Sequence, residues 1–167
     1  MCRLEEPSDW VVRWAPLVTH GTVLDVACGG GRHAKLFLGR KLKVVALDRE
    51  PQQIPGARFM RADLEDGSPW PLAGERFQGI VVTNYLYRPL FGTLVDSLAE
   101  GGVLIYETFM LGNERFGKPS NPAFLLRPGE LLEAFEGLAV QGFEEGEVRE
   151  PKPAVIQRLC ATRVGWG

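Results

Sequence analysis

The sequence predicts an α/β protein: a mostly parallel sheet with helices on both faces. Three observations predict it. Strand-length segments at Thr22–Val26, Lys43–Asp48, Phe77–Asn84 and Val103–Phe109 are mostly apolar and β-branched rather than alternating, with Lys43–Asp48 continuously apolar before its acid, as in strands buried on both faces. Helical patterns separate them, at Arg32–Leu38 and Leu90–Leu98, which is how parallel neighbours are connected. Finally, Val23-Leu24-Asp25-Val26-Ala27-Cys28-Gly29-Gly30-Gly31-Arg32-His33-Ala34 reads as strand, glycine loop and helix start. Glycines there let a ligand approach backbone, and a helix start offers unpaired N–H groups.

Two ligand chemistries compete at this loop. Gly29-x-Gly31-x-x-Ala34 fits the dinucleotide fingerprint, which implies a NAD-binding oxidoreductase. Asp25, at the strand end four residues before the first glycine, argues the other way. A carboxylate there repels a pyrophosphate and attracts an ammonium or sulfonium, such as those of S-adenosylmethionine (AdoMet). A non-catalytic AdoMet-binding module is the third reading.

The segment Leu24-Asp25-Val26-Ala27-Cys28-Gly29-Gly30-Gly31 resembles the first motif of class I AdoMet-dependent methyltransferases, Asp/Glu-x-Gly-x-Gly-x-Gly. Ala27 stands in place of the first glycine, and the expected effect is only a tighter turn. The resemblance implies a Rossmann-like seven-stranded sheet in the order 3-2-1-4-5-7-6, with strand seven antiparallel. It also implies a methyl transfer by in-line displacement. The cofactor residues it implies are Asp25, Ala27, Cys28, Gly29 and Gly31 at the loop, with Asp48 and Arg49 after strand two. Asp48, with two acceptor oxygens, suits a ribose diol. Asp63 and Leu64 after strand three are expected at the adenine, and Asn84 at the end of strand four.

The remaining elements follow in order. Ser8 after Pro7 is the expected N-cap of a short helix carrying Trp10, Val11, Trp14 and Leu17 and ending near Pro16. This segment, within residues 1–20, is a packing helix or a lid over the cleft. Gly39 is the expected C-cap of the second helix. Only Arg49 to Ala57 separates strand two from Phe59, too short for a helical crossover, so a single turn near Gln52–Ile54 and thin cover on that side are expected. Gly67–Gly74 is a loop around Trp70, a packing anchor. The glycines of Glu100-Gly101-Gly102 should end the third helix. Met110–Leu126 reads as a long irregular loop of the kind that recognises substrates. Pro128-Gly129-Glu130 starts a helix through Phe135. The acidic run Glu144–Glu150 should form the turn between strands Leu138–Phe143 and Ala154–Arg163.

Ligands of open α/β sheets bind beyond the carboxyl ends of strands, which puts Asn84, Tyr85, Tyr87, Arg88 and Glu107 at the cleft. If the acceptor carries a proton, the candidate bases are Glu107, Tyr85 and Tyr87, followed by His33, which is expected on the helix surface. Tyr85-Leu86-Tyr87 lacks the prolines of Asn-Pro-Pro-Tyr, so a planar amide or amine nitrogen is not supported as acceptor. Tyr106-Glu107-Thr108-Phe109, Gly112-Asn113-Glu114 and Pro119-Ser120-Asn121-Pro122 resemble a bacterial subfamily of small methyltransferases, without supplying a substrate.

Composition bounds the rest. A chain of 167 residues, 45% hydrophobic and 24% charged, suits one globular domain. A net charge of −2 argues against nucleic acid as main partner; Arg32, Lys35, Arg40, Lys41 and Lys43 read as a solvated helix face. No apolar run approaches the roughly 18 residues of a membrane span. No signal peptide is visible, and Cys2, Cys28 and Cys160 lack metal spacing, so a cytoplasmic protein with reduced thiols and no metal is expected. A small-molecule methyl acceptor is the expected partner. Monomer and homodimer both remain open, with exposed Trp10 or Trp14 available to a dimer.

Overall fold

The strands deliver alternate side chains to two separate cores, one on each face of a single sheet. The computed structural model describes residues 5–165; Cys2 lies outside them. The strands are β1 (Thr22–Val26), β2 (Lys43–Asp48), β3 (Arg58–Arg61), β4 (Phe77–Thr83), β5 (Leu98–Phe109), β6 (Ala139–Val148) and β7 (Ala154–Thr162). They form one seven-stranded sheet in the order β3-β2-β1-β4-β5-β7-β6. β1 to β5 pair in parallel; β7 runs antiparallel to β5 and β6 antiparallel to β7. The predicted topology is the one observed.

Leu24, Val45, Ile80, Leu104 and Leu159 enter one core, and their neighbours Val23, Val44, Val81, Val103 and Cys160 the other. This is the two-residue period of a strand with both faces covered. The first core is closed by α3 (Phe91–Ser97) and α4 (Glu130–Ala134), the second by α1 (Asp9–Trp14) and α2 (Arg32–Gly39). Ser8 caps α1 by accepting from the Trp10 N–H, as expected. Trp10 is buried and donates its indole N–H to the Leu159 carbonyl, and Trp14 is half-buried. The Trp10 ring lies inside the fold, so Trp10 is not the exposed residue the sequence suggested.

Several element boundaries differ from expectation. Gly39 is the last residue of α2, and the left-handed position after the helix is Lys41, at φ 68°. No helical turn forms at Gln52–Ile54. The crossover turns instead at Pro55-Gly56, where Ala57 N–H donates to Ile54 O, because the two prolines disfavour continuous helix. Ile54 and Ala57 of this crossover pack against the second core, with Ile54 buried. β5 begins at Leu98, five residues before the expected start, with its register to β4 shifted between Phe77 and Gly79. The acidic run is strand rather than turn. Glu144, Glu145 and Glu147 lie in β6, where Glu144 pairs with Arg13 and Arg158, Glu145 with Gln157 and Glu147 with Arg115. The hairpin turn falls at residues 149–153.

The 110–126 loop is pinned rather than loose. Its buried Asn113 accepts from Val155 N–H and donates to Pro119 O, and 3-10 turns form at Asn113–Arg115 and Pro122–Phe124. Arg88 donates in a fork to Glu130 at 2.6 and 3.0 Å and also to the Ala123 and Leu125 carbonyls. Among the described residues, no helix is long and apolar enough to cross a membrane, and no cluster of His, Cys, Asp and Glu has the makings of a metal site.

Candidate active site

The site is assembled from the carboxyl ends of five neighbouring strands. At β1, the chain turns through Ala27, Gly29 and Gly31, at φ 55°, 53° and 85°. Ala27 therefore occupies the left-handed region that costs an L-residue about 1–2 kcal/mol. The missing glycine leaves backbone strain rather than a tighter turn. Gly31 is required sterically as well, since a Cβ there would lie 2.7 Å from the Ile54 Cδ1.

Asp48, at the end of β2, braces this loop. Its Oδ2 accepts from Gly29 N–H at 2.8 Å and its Oδ1 from Glu50 N–H at 2.9 Å. Each oxygen retains acceptor capacity. Asp48 lines a cavity of about 500 Å³ together with Ala27, Arg49, Asp63, Leu64, Asn84 and Tyr85, seven residues predicted at the cleft. Its carboxylates Asp48, Asp63 and Glu65 outnumber its one cation, Arg49.

Asp25, Cys28, Gly29 and Gly31 do not line that cavity. Asp25 is only 1% exposed, and its Oδ2 accepts from the Ala34 N–H in the first turn of α2. Burial pushes its carboxyl up to about 7, against the pull of that hydrogen bond and of Arg32. The Asp25 carboxylate thus faces the start of α2. The Cys28 thiol, pushed up to about 12 by burial and by the Asp25 and Asp48 charges, donates to the Gly29 carbonyl.

A second cavity, of about 390 Å³, opens on the other side of the β4 and β5 tips. Glu6, Pro7, Ser8 and Asp9 line it from the N-terminal segment, Glu107 and Arg158 from the sheet. The two cavities share Asn84 and Phe109. Asn84 sits at φ 54° with its N–H bonded to the Glu107 carbonyl, and the Tyr106 hydroxyl donates to the Tyr85 carbonyl beside it. The strand tips at the junction are thereby held rigid.

The candidate bases are placed as follows. Glu107 lines the second cavity, but its Oε2 is ion-paired with the Arg158 guanidinium and its Oε1 accepts from Ser8 Oγ at 2.8 Å. Tyr85 lines the first cavity and donates to Glu65; burial, then that partner, raises its phenol above the usual value. Tyr87 lines neither cavity, but a neighbouring groove with Trp70 and Pro89. His33 is not a surface residue. It is 2% exposed, and burial, with the charge of Arg32, lowers it to about 3. Its Nε2 accepts from Ser8 N–H at 3.0 Å, which leaves the proton on Nδ1, 3.4 Å from Thr83 Oγ1.

Phe109, Ser8 and Arg158 line the site although the sequence did not mark them as site residues. Arg158 carried a signal: it is the one charged residue in the apolar strand 154–162, and it pairs across with Glu107 in the β5–β7 register.

No protein-family model and no curated protein matches the chain. Solved structures do match. TehB from Haemophilus influenzae superposes with a TM-score of 0.72 at 16% identity, over 92% of this chain and 61% of that one. This chain thus spans about three fifths of TehB. A 1,6-didemethyltoxoflavin-N1-methyltransferase from Burkholderia thailandensis gives 0.66 at 19% identity, over 93% and 76%. An AdoMet-dependent methyltransferase from Mesorhizobium loti gives 0.68 at 17%, over 91% and 98%. With the strand order, these likenesses make the fold that of class I methyltransferases.

Proposed function

We propose that the protein transfers a methyl group from AdoMet to a small-molecule acceptor. The observation that carries this reading is the pair of cavities meeting at Asn84 and Phe109. One suits a cofactor, the other an acceptor, and each has the size of a small-ligand site. The chemistry of the first cavity suits AdoMet. Three carboxylates against one arginine favour a cation and disfavour a pyrophosphate. Asp48 would accept from the ribose hydroxyls, Asp63 from the adenine amino group, and Leu64 would lie against the ring. The Burkholderia structure, with 1,6-didemethyltoxoflavin and S-adenosylhomocysteine bound, supports a small acceptor.

Bound AdoMet supplies an electrophilic methyl on a good leaving group, so the protein's task is to align the acceptor and exclude water. Phe109 and Asn84 would set the line of transfer. Glu107, held by Arg158 and Ser8, shapes the acceptor cavity more readily than it removes a proton. The neutral, buried His33 and the protonated Tyr85 are likewise poor bases at neutral pH. An acceptor atom with its own lone pair is the consistent partner. A cytoplasmic location is part of this proposal.

Calorimetry with AdoMet against NADH tests the cofactor. Incubating the protein and labelled AdoMet with small-molecule extract, RNA and protein in parallel tests the acceptor. AdoMet binding and label transfer to a small compound are expected. NADH binding alone, or transfer only to RNA or protein, overturns the proposal; binding without S-adenosylhomocysteine release identifies a non-catalytic module instead.

A further inference from the structure

We propose that His33 is a positioning residue that fastens residues 6–9 across the second cavity as one of its walls, acting through the Ser8 N–H. This rests on the reading of that cavity as the acceptor site. Three polar bonds tie the segment to other elements, Ser8 N–H to His33 Nε2 at 3.0 Å, Ser8 Oγ to Glu107 Oε1 at 2.8 Å, and Arg32 Nη1 to Glu6 O at 3.0 Å, while Ser8 also caps α1 by accepting from the Trp10 and Val12 N–H groups. Little apolar burial helps them. Glu5, Glu6 and Asp9 are exposed, and Pro7 and Ser8 only half-buried. The anchored part of the chain begins at Trp10, whose ring is buried and whose indole is bonded to β7. A segment held by few contacts opens at little cost, so each of these bonds matters to the closed position.

His33 is built for the task. Its ring is locked in one tautomer between Thr83 and Ser8, and its burial keeps Nε2 an acceptor. It also stands two residues beyond Gly31, the N-cap of α2. The wall of the acceptor cavity is thus tied through His33 to the helix that leaves the glycine loop, in addition to its junction with α1 at the Ser8 cap.

The test compares the full chain with His33→Leu, which removes the acceptor atom but keeps an apolar side chain, and with His33→Gln, whose amide oxygen falls near the Nε2 position. Three readouts are needed: hydrogen exchange at the Ser8 amide, AdoMet affinity by calorimetry, and the half-saturating amount of small-molecule extract in AdoMet turnover. In His33→Leu, the Ser8 amide is expected to exchange at least tenfold faster, AdoMet affinity to stay within twofold, and half-saturation to need roughly tenfold more extract. His33→Gln is expected to recover both effects. Should His33→Leu fail to fold, His33→Phe removes the same acceptor atom while keeping a buried ring, and the Ser8 amide exchange and the half-saturation are read in the same way. Unchanged exchange overturns the inference, as does faster exchange with unchanged half-saturation. Exchange is measured without any ligand, so a protein that binds no AdoMet refutes the proposed function while the fastening is still tested.

Discussion

Asp25→Asn should stabilise the protein at pH 8 and do little at pH 5. The Asp25 carboxyl has a folded value of about 7 against 3.8 for an unperturbed group, burial being the largest cause. Because the folded value is raised, the native state binds the extra proton, and stability falls as pH climbs from 3.8 to 7. At 1.36 kcal/mol per unit, the ionised carboxylate costs the fold about 4 kcal/mol above pH 7. At pH 5 the cost is about 1–2 kcal/mol, since only the interval from 3.8 to 5 contributes. Asparagine removes that cost and retains an oxygen for the Ala34 N–H. Its buried amide NH2 introduces an opposing penalty of about 1–3 kcal/mol, the same at both pH values. The net effect is a gain at pH 8 and roughly none at pH 5. The difference between the two gains, about 3 kcal/mol, is independent of the penalty. It corresponds to about 6–12 °C in Tm at this chain length. Urea unfolding of both proteins at pH 5 and pH 8 measures it. Gains equal within about 0.5 kcal/mol would show that Asp25 carries no desolvated charge.

Three further outcomes are expected. Ala27→Gly should raise stability by up to about 1 kcal/mol, because relief of a left-handed alanine slightly exceeds the added chain entropy; a lower urea midpoint contradicts the strain. Asp48→Ala should weaken AdoMet binding by about 1.5–3 kcal/mol, the size of hydrogen bonds to a charged group, and unchanged affinity by calorimetry removes Asp48 from the ribose. Glu130→Gln should cost about 2–3 kcal/mol, below the full penalty for a broken buried pair because Arg88 is 37% exposed. It should also weaken AdoMet, since Arg88 holds the Ala123 and Leu125 carbonyls beside Phe124 of the first cavity, the one proposed to take the cofactor. Unaltered thermal stability would contradict this role.

Much of the architecture was legible from side-chain type alone. Mostly apolar strands demand cover on both faces, and the observed sheet provides it with two cores drawn from alternate residues. Polar residues beyond the strand ends were legible because parallel strands place their carboxyl ends along one edge, so Asp48, Asp63 and Asn84 meet there. What neighbours touch was not legible. The sequence contains Asp25, but only packing decides that its carboxylate turns under the loop to the Ala34 amide and loses its water. It contains His33, but only the return of Ser8 from 25 residues away buries the imidazole and fixes its tautomer. The Glu107–Arg158 pair likewise spans 51 residues and exists because β7 docks antiparallel on β5. Local sequence specifies backbone period and turn chemistry, which depend on a few adjacent residues. Burial, charge pairing and protonation depend on residues brought from far along the chain, and the tertiary structure alone supplies them.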